Sequence, residues 1–269
     1  MLGWIEHKGI SPRLSDATPF VFYGVEDPDG AGGVAAVVAG CLAALSEMPA
    51  GLAQRLGAHL RSLGVSLRLA FGPMSALQPF WRSYMEAASD PGRILPQVLY
   101  HARPRDLRHF GDAPLYQAGP QDIAALLEAS VAMHAEETGE ELTREERDAF
   151  DPMVEEQVAE GRAWCALDPV DGRLLFKANT AMSSWQVVQL EGVWVPPALR
   201  QRGLARRHLA ELCRVLLARH DGVSLYAHQD NGPARALYRR LGFRELGAFG
   251  TAVVGRSLVL AKPGAEGWA

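Results

Sequence analysis

Cysteine, basic charge and long apolar segments are scarce in this sequence of 269 residues, and each scarcity excludes a class of protein. The three cysteines, Cys41, Cys165 and Cys213, are far apart and form no C-x-x-C pair, so we expect reduced core thiols rather than disulfides or a zinc site. The 31 acidic side chains outnumber the 27 basic ones, which argues against a nucleic-acid partner. The most apolar run, residues 31–45, is shorter than the roughly 20 residues of a membrane helix.

Composition and length favour a soluble globular protein with two domains. The hydrophobic fraction of 48% and the charged fraction of 22% are ordinary for a chain that buries a full core. The chain is long for one small α/β domain. Its start lacks a basic segment followed by an apolar core and a cleavage site, so we expect a cytoplasmic protein without a membrane partner. The polar segment 101–111 indicates a boundary, which gives domains at 1–110 and 111–262 and a tail at 263–269.

The stretch from Val187 to Phe243 carries spacings that a specific chemistry requires. An apolar run ends at Pro196-Pro197 and predicts a buried strand. The turn 200–205 then opens a helix, and its Gly203 and Ala205 allow close approach of a ligand to the backbone. Because the first helical turn has unpaired N–H groups and a partial positive charge, this junction predicts a pyrophosphate site. Neither the P-loop nor the dinucleotide fingerprint is present here.

Two motifs in this stretch resemble those of the GNAT superfamily of N-acetyltransferases. Arg200, Gly203 and Ala205 fill the pattern R/Q-x-x-G-x-G/A after a strand ending in V-x-P. Residues 231–243 fill the second pattern, N-x-x-A-x-x-L/F-Y-x-x-x-G-F, after a predicted strand at 223–227. The resemblance covers roughly residues 112–260 and implies an α/β fold with a mixed, mostly antiparallel sheet flanked by helices.

The order of predicted elements agrees with that fold. A strand is expected at 115–118, a helix at 123–137, and a second helix from the capping box Thr143–Glu146, interrupted near Asp151-Pro152. A hairpin turns at 168–172, and residues 248–260 supply the last strands.

The resemblance implies acetyl-coenzyme A as cosubstrate, no metal, and direct transfer of an acetyl group to a primary amine. The resemblance also implies which residues contact acetyl-coenzyme A. They lie in the central strand, the turn and the second motif: Val193, Trp194, Val195, Arg200, Gln201, Arg202, Gly203, Leu204, Ala205, Arg206, Asn231, Ala234 and Tyr238. Asn231 would hold the pantetheine arm, although it could simply cap the following helix.

Two residues are candidates for proton transfer. Tyr238 fills the position of the family's general acid for the departing thiolate, with a purely packing role as the alternative. Glu191 is our candidate general base, because a carboxylate inside an apolar strand requires a partner or a task. Strand alternation predicts that Glu191 and Val193 share a face. The alternative is that Glu191 pairs with an arginine or caps a neighbouring strand.

The acceptor is not specified by the sequence. His134, Glu137 and His228 are candidates for contacting it, and solvated histidines are the alternative. The acceptor could be a small molecule or a protein, and the oligomeric state is not indicated. A different class of function also remains, namely a non-catalytic acyl-coenzyme A sensor or protein-interaction adaptor.

The first half repeats the element order of the second, which predicts either a degenerate GNAT-like half or an unrelated α/β module. A strand at 20–26 and a turn at 27–30 precede residues 33–48, which form either one helix or two strands broken at Gly40. A helix at 50–63, a strand at 65–71, a further helix and a strand at 94–100 follow. The counterpart of the phosphate turn would be Gln54–His59 and that of Tyr238 would be Phe80, so this half should bind no cofactor. A bacterial GNAT subfamily with an extra N-terminal domain is similar in arrangement.

Overall fold

The computed structural model describes residues 20–255 apart from 39 and 140. The first half contains β1 (Phe20–Glu26), β2 (Gly32–Val38), β3 (Leu42–Leu45), α1 (Ala50–Ser62), β4 (Leu69–Pro73), α2 (Met74–Tyr84) and β5 (Arg93–Ala102). The second half contains β6 (Tyr116–Gln117), α3 (Ile123–Thr138), α4 (Arg144–Ala159), β7 (Ala163–Leu167), β8 (Leu174–Ser183), β9 (Val187–Trp194), α5 (Leu204–Leu217), β10 (Gly222–His228), α6 (Gly232–Leu241) and β11 (Arg244–Val253). The predicted end of the last strand, 256–260, and the tail 263–269 lie outside the described residues.

All the described strands join one 11-stranded sheet in the order β1-β2-β3-β4-β11-β5-β10-β9-β8-β7-β6. Apart from β6 at one edge, the order is symmetric about the β11–β5 pair. On each side an antiparallel pair, a parallel pair and two further antiparallel pairs follow in turn. This symmetry favours a degenerate repeat over an unrelated module. The sheet is mixed and flanked by helices, as expected for the GNAT fold.

The two halves exchange their last strands. β5, the last strand of the first half, lies between β10 and β11, and β11 lies between β4 and β5. The antiparallel β5–β11 ladder runs from Arg93–Val253 to His101–Arg244. Each half therefore completes the sheet of the other. The two halves share one sheet. The domain limits 1–110 and 111–262 stay a prediction.

Three buried clusters fill the layers. One forms between the sheet and α1 and α2, and another between the sheet and α5 and α6. Ile94 and Tyr100, which contact these two clusters, point to the same face of β5, so those four helices cover one face of the sheet. The third cluster lies under α3 and α4 on the opposite face of the second half. α3 and α4 do not cover the part of that opposite face formed by the central strands.

Local predictions agree with these elements in most places. The turn 27–30 joins β1 to β2, and Thr143 and Glu146 form the predicted capping box. Residues 33–48 form two strands rather than one helix, because β2 pairs with both β1 and β3. All three cysteines are free and buried. Within the described ranges, no helix combines the length and apolar character needed to cross a bilayer.

Three local predictions are wrong. The segment Gln54–His59 is no turn but the interior of α1, which begins at Ala50 after Pro49. α4 continues through Pro152 instead of breaking there, because Phe150, Val154 and Val158 all remain buried in one cluster on its inner side. The strand expected at 65–71 is displaced to β4, at Leu69–Pro73.

Candidate functional site

A gap between two parallel strands is the main feature of the candidate site. β9 and β10 pair over three residues, Val187–Gln189 against 222–224. β9 then continues to Trp194 and β10 to His228, and no further β9–β10 pair exists among the described residues. The diverging strands leave peptide groups that a bound molecule can reach. Val193, Trp194 and Val195 lie along this side.

A bulge at Gly192 changes which way β9 side chains point. Between the pairs Asn179–Glu191 and Lys177–Trp194, β9 has one more residue than β8, and Gly192 has φ 60°, which favours glycine. Val193 consequently contacts the same cluster as Val188, toward α5 and α6. Glu191 points to the opposite face, so the prediction that Glu191 and Val193 share a face is wrong.

The turn before α5 has the backbone geometry of an anion-binding junction. Gly203 precedes the helix in the left-handed region with φ 78°, and Gln201 also has a positive φ of 62°. The N–H of Arg207 donates to the Gly203 carbonyl. The N–H groups of 204–206 come before that bond, so they are the free donors of the first turn.

The arginines around this turn have different surroundings. Arg200 donates through Nε to the Val195 carbonyl at 3.0 Å and forms an ion pair with Glu136 at 2.6 Å. It therefore ties the turn to β9 and α3. The Arg206 guanidinium lies 4.8 Å from the centre of the Phe110 ring. Arg202 is exposed beside the turn.

The second motif places Tyr238 at the inner side of α6. Its ring is buried and lies 5.4 Å from the ring of Tyr100. Burial, together with the negative Glu137, raises the pKa of Tyr238 above its ordinary value, so the phenol holds its proton at neutral pH. Asn231 caps α6 by accepting a hydrogen bond from the Ala234 N–H at 3.0 Å. The side-chain oxygen of Asn231 therefore caps the helix, which was the alternative to holding the pantetheine arm.

Glu191 belongs to a group of charged side chains that includes a residue missed in the sequence. Lys177 on β8 is only 3% exposed, and burial lowers its pKa to about 8 against the attraction of Glu191 and Glu137. Burial raises the pKa of Glu191, and Arg162 and Lys177 oppose this shift. Glu137 is reachable by solvent but surrounded by protein, and this partial desolvation raises its pKa.

Lys177 lies beside the bulge. A Cβ atom at Gly192 would lie 3.5 Å from its Nζ. The sequence contains a signal for Lys177, because it is a charged residue within the apolar run Leu174-Leu175-Phe176-Lys177-Ala178. Like Glu191 on β9, such a residue requires a partner or a task. A buried ammonium that attracts two carboxylates makes this group a candidate for proton transfer.

The two histidine candidates lie on α3 and at the end of β10. His134 on α3 is half-buried, with its ring 6.1 Å from that of Phe150. His228 is exposed at the end of β10, where its Nδ1 accepts from the Asp230 N–H at 3.3 Å. In the part of the chain that the structure describes, no cluster of His, Cys, Asp and Glu is arranged to hold a metal.

Comparisons with known proteins agree with this architecture. Residues 127–243 match the acetyltransferase (GNAT) family. No curated protein sequence matches the chain. Solved structures with a similar fold include a GNAT-family protein from Novosphingobium aromaticivorans, 22% identical, covering 80% of this chain and 84% of that one with a TM-score of 0.52.

Two further structures resemble most of the chain. One is a Drosophila protein that is 12% identical; the match covers 88% of this chain and 80% of the Drosophila chain, with a TM-score of 0.61. A tandem GNAT protein from the clavulanic acid biosynthesis pathway is 17% identical and covers 90% and 85%, with a TM-score of 0.50. At such identities the likeness concerns the fold alone.

Proposed function

We propose, because residues 127–243 match the acetyltransferase (GNAT) family, that this chain transfers an acetyl group from acetyl-coenzyme A directly to a primary amine. The observation that carries the proposal is the gap between β9 and β10, which opens toward the start of α5 and has Tyr238 on its inner side. Acetyl-coenzyme A supplies the thioester, and the chain supplies binding, orientation and proton transfer.

The residues around the gap fit this cosubstrate. The free N–H groups of Leu204, Ala205 and Arg206, with the left-handed Gly203, suit a pyrophosphate. The peptide groups of Val193 and Trp194 on the side of the gap suit the pantetheine arm, whose amides pair with a strand edge. Arg200 would act by fixing the turn, because its guanidinium already contacts Val195 and Glu136.

The proposed base and the proposed acid lie on opposite faces of the sheet at β9. Glu191, on the α3 side, takes one proton from the incoming ammonium, and the neutral nitrogen then attacks the thioester carbonyl and forms the new C–N bond. As the C–S bond breaks, Tyr238 donates its proton to the departing thiolate. Water takes the second proton from the nitrogen as the tetrahedral intermediate collapses to the amide, and water later returns a proton to Tyr238. The high pKa of Tyr238 keeps that proton available at neutral pH. Lys177 favours the ionised form of Glu191 through charge attraction.

The first half should bind no cofactor, for a physical reason. β3 and β4 stay close where β9 and β10 diverge, since a Cβ on Gly72 would lie 2.8 Å from the Leu45 carbonyl oxygen. Phe80, fully buried on α2, has no proton to give. One molecule of coenzyme A per chain is therefore expected, and calorimetric titration would measure that number.

The test is release of free thiol from acetyl-coenzyme A in the presence of a panel of amines. Thiol release that depends on an amine, with a matching acetylated product, supports the proposal. Coenzyme A binding without thiol release for any amine would favour the sensor or adaptor instead.

A further inference from the structure

An open cleft lies on the sheet face that α3 and α4 leave uncovered. Its volume is about 640 Å3, and its floor comes from β5, β9, β10 and β11. The lining side chains alternate with those of the α5–α6 cluster: Leu99 is next to buried Tyr100, and Tyr226 is next to buried Leu225. Since β5 belongs to the first half, both halves build this cleft.

The middle of the cleft is apolar and flat. Tyr226 and Phe249 stack with ring centres 5.4 Å apart and planes at 21°. Leu99 pairs with Tyr226 across the β5–β10 ladder and extends the same surface. A molecule that lies here needs an aromatic or aliphatic body.

One end of the cleft reaches the acidic group of the candidate site. Gln189 lines the cleft beside Tyr226 and lies two residues before Glu191 on the same face of β9. Burial and the negative charges of Glu191 and Glu137 raise the pKa of Tyr226. The amine of the acceptor belongs at this end, because Glu191, the base of the proposed transfer, lies one step along β9 from Gln189 on the same face.

The other end is positive. His101, Arg103 and Arg244 line it, and the two arginines lower the pKa of His101 in addition to its burial. Arg244 forms a long ion pair with Asp106 at 3.4 Å. Among the described residues, no carboxylate forms an ion pair with Arg103. Glu245, also on the rim, is neutralised by Arg235 and Arg239.

We propose that the acceptor is a primary amine that also carries a carboxylate or phosphate, with an apolar body lying over Leu99, Tyr226 and Phe249. Arg103 and Arg244 bind the anionic group while the amine faces Glu191. This inference rests on the proposed acetyl transfer. From Glu191, Arg244 is about three strand spacings across the sheet and two residues along it, and Arg103 is about two spacings across and four residues along. Both distances are roughly 16 Å between Cα atoms. Long side chains at both ends shorten that span.

The test compares matched amines on the full chain. Phenethylamine has the amine and the ring, 4-(2-aminoethyl)benzoate adds a carboxylate, and tyramine phosphate adds a phosphate. We expect kcat/KM to be at least about 10-fold higher for an anionic amine, as charge-assisted hydrogen bonds imply. Arg244→Met and Arg103→Met should raise KM for that amine and leave phenethylamine unchanged. Arg219→Met, an exposed arginine after α5, is the control and should alter neither.

A second readout does not depend on turnover. With coenzyme A present, the preferred anionic amine should raise the thermal midpoint of wild type more than phenethylamine does, and Arg244→Met should abolish that difference. Equal kcat/KM for all three amines would overturn this inference and leave acetyl transfer intact. Thiol release from none of them, together with the anionic-amine thermal shift, would uphold the anion site and count against the proposed function.

Discussion

The ring of Tyr100 meets the ring of Tyr238 edge-on, with centres 5.4 Å apart and planes at 62°. Tyr100 belongs to β5 of the first half, and Tyr238 belongs to α6 of the second. The Tyr100 hydroxyl donates to Glu245 at 2.7 Å and accepts from Arg235 Nε at 3.1 Å, so its ring is held in place. The first half therefore positions the candidate acid, although it carries no matching chemistry of its own.

Replacing Tyr238 by Phe should leave coenzyme A binding unchanged and reduce kcat by about 100-fold or more, the usual contribution of a general acid. The ring and its contacts with Tyr100 and Phe243 remain in the variant. Steady-state thiol release and calorimetric titration with coenzyme A give the two numbers. Unchanged kcat would assign Tyr238 a packing role.

Gly203→Glu should remove the stabilisation of the protein by coenzyme A. For wild type at 100 times Kd, that stabilisation is about 2.7 kcal/mol, or roughly 5 °C for a chain of this size. A glutamate at Gly203 would bring a negative charge to the proposed pyrophosphate site. Gly203→Asn is the control, because asparagine tolerates φ 78° without adding charge. An equal thermal shift in wild type and Gly203→Glu would refute the assignment of the turn.

Lys177→Met should make the protein more stable at neutral pH and less active. The pKa of Lys177 is about 8 in the folded chain and about 10.4 in an unfolded one. Between these values the unfolded chain binds more protons, so stability rises with pH; below 8 the whole penalty of the buried charge is present. The methionine removes that penalty, which is on the order of 3 kcal/mol.

Urea unfolding of wild type and Lys177→Met at pH 7 and above pH 10.4 measures this difference. The gain should be present at pH 7 and vanish at the higher pH. Turnover should also need a higher pH in the variant, because the attraction that lowers the pKa of Glu191 is lost. A variant that is less stable than wild type at pH 7 would show that Lys177 stabilises the fold.

Local motifs made part of this site predictable and long-range pairing made the rest unpredictable. The turn at Gly203 and the helix that carries Tyr238 depend on residues close together in the sequence, and both lie where predicted. The direction of Glu191 depends on the bulge at Gly192, which adds one residue to β9 and is not evident from an apolar run. The exchange of β5 and β11 depends on ladders between distant segments, so only the repeated element order hinted at it.

A fragment that begins at Asp112 should fail to fold. It lacks β5, which pairs with β10 from Val223 to His228 and with β11 from Arg244 to Val253. Both strands would lose a backbone ladder and expose unpaired edges, and Tyr238 would lose its contact with Tyr100. A fragment that begins at Pro91 restores β5 and is the matched control; it should regain a cooperative thermal transition and coenzyme A binding, because β10 and β11 recover their ladders with β5. What it still lacks is β4 beside β11 and the cluster under α1 and α2 that Ile94 and Ala252 contact. If the Asp112 fragment melts at the same temperature as the full chain and releases thiol at the same rate, the first half has no supporting role.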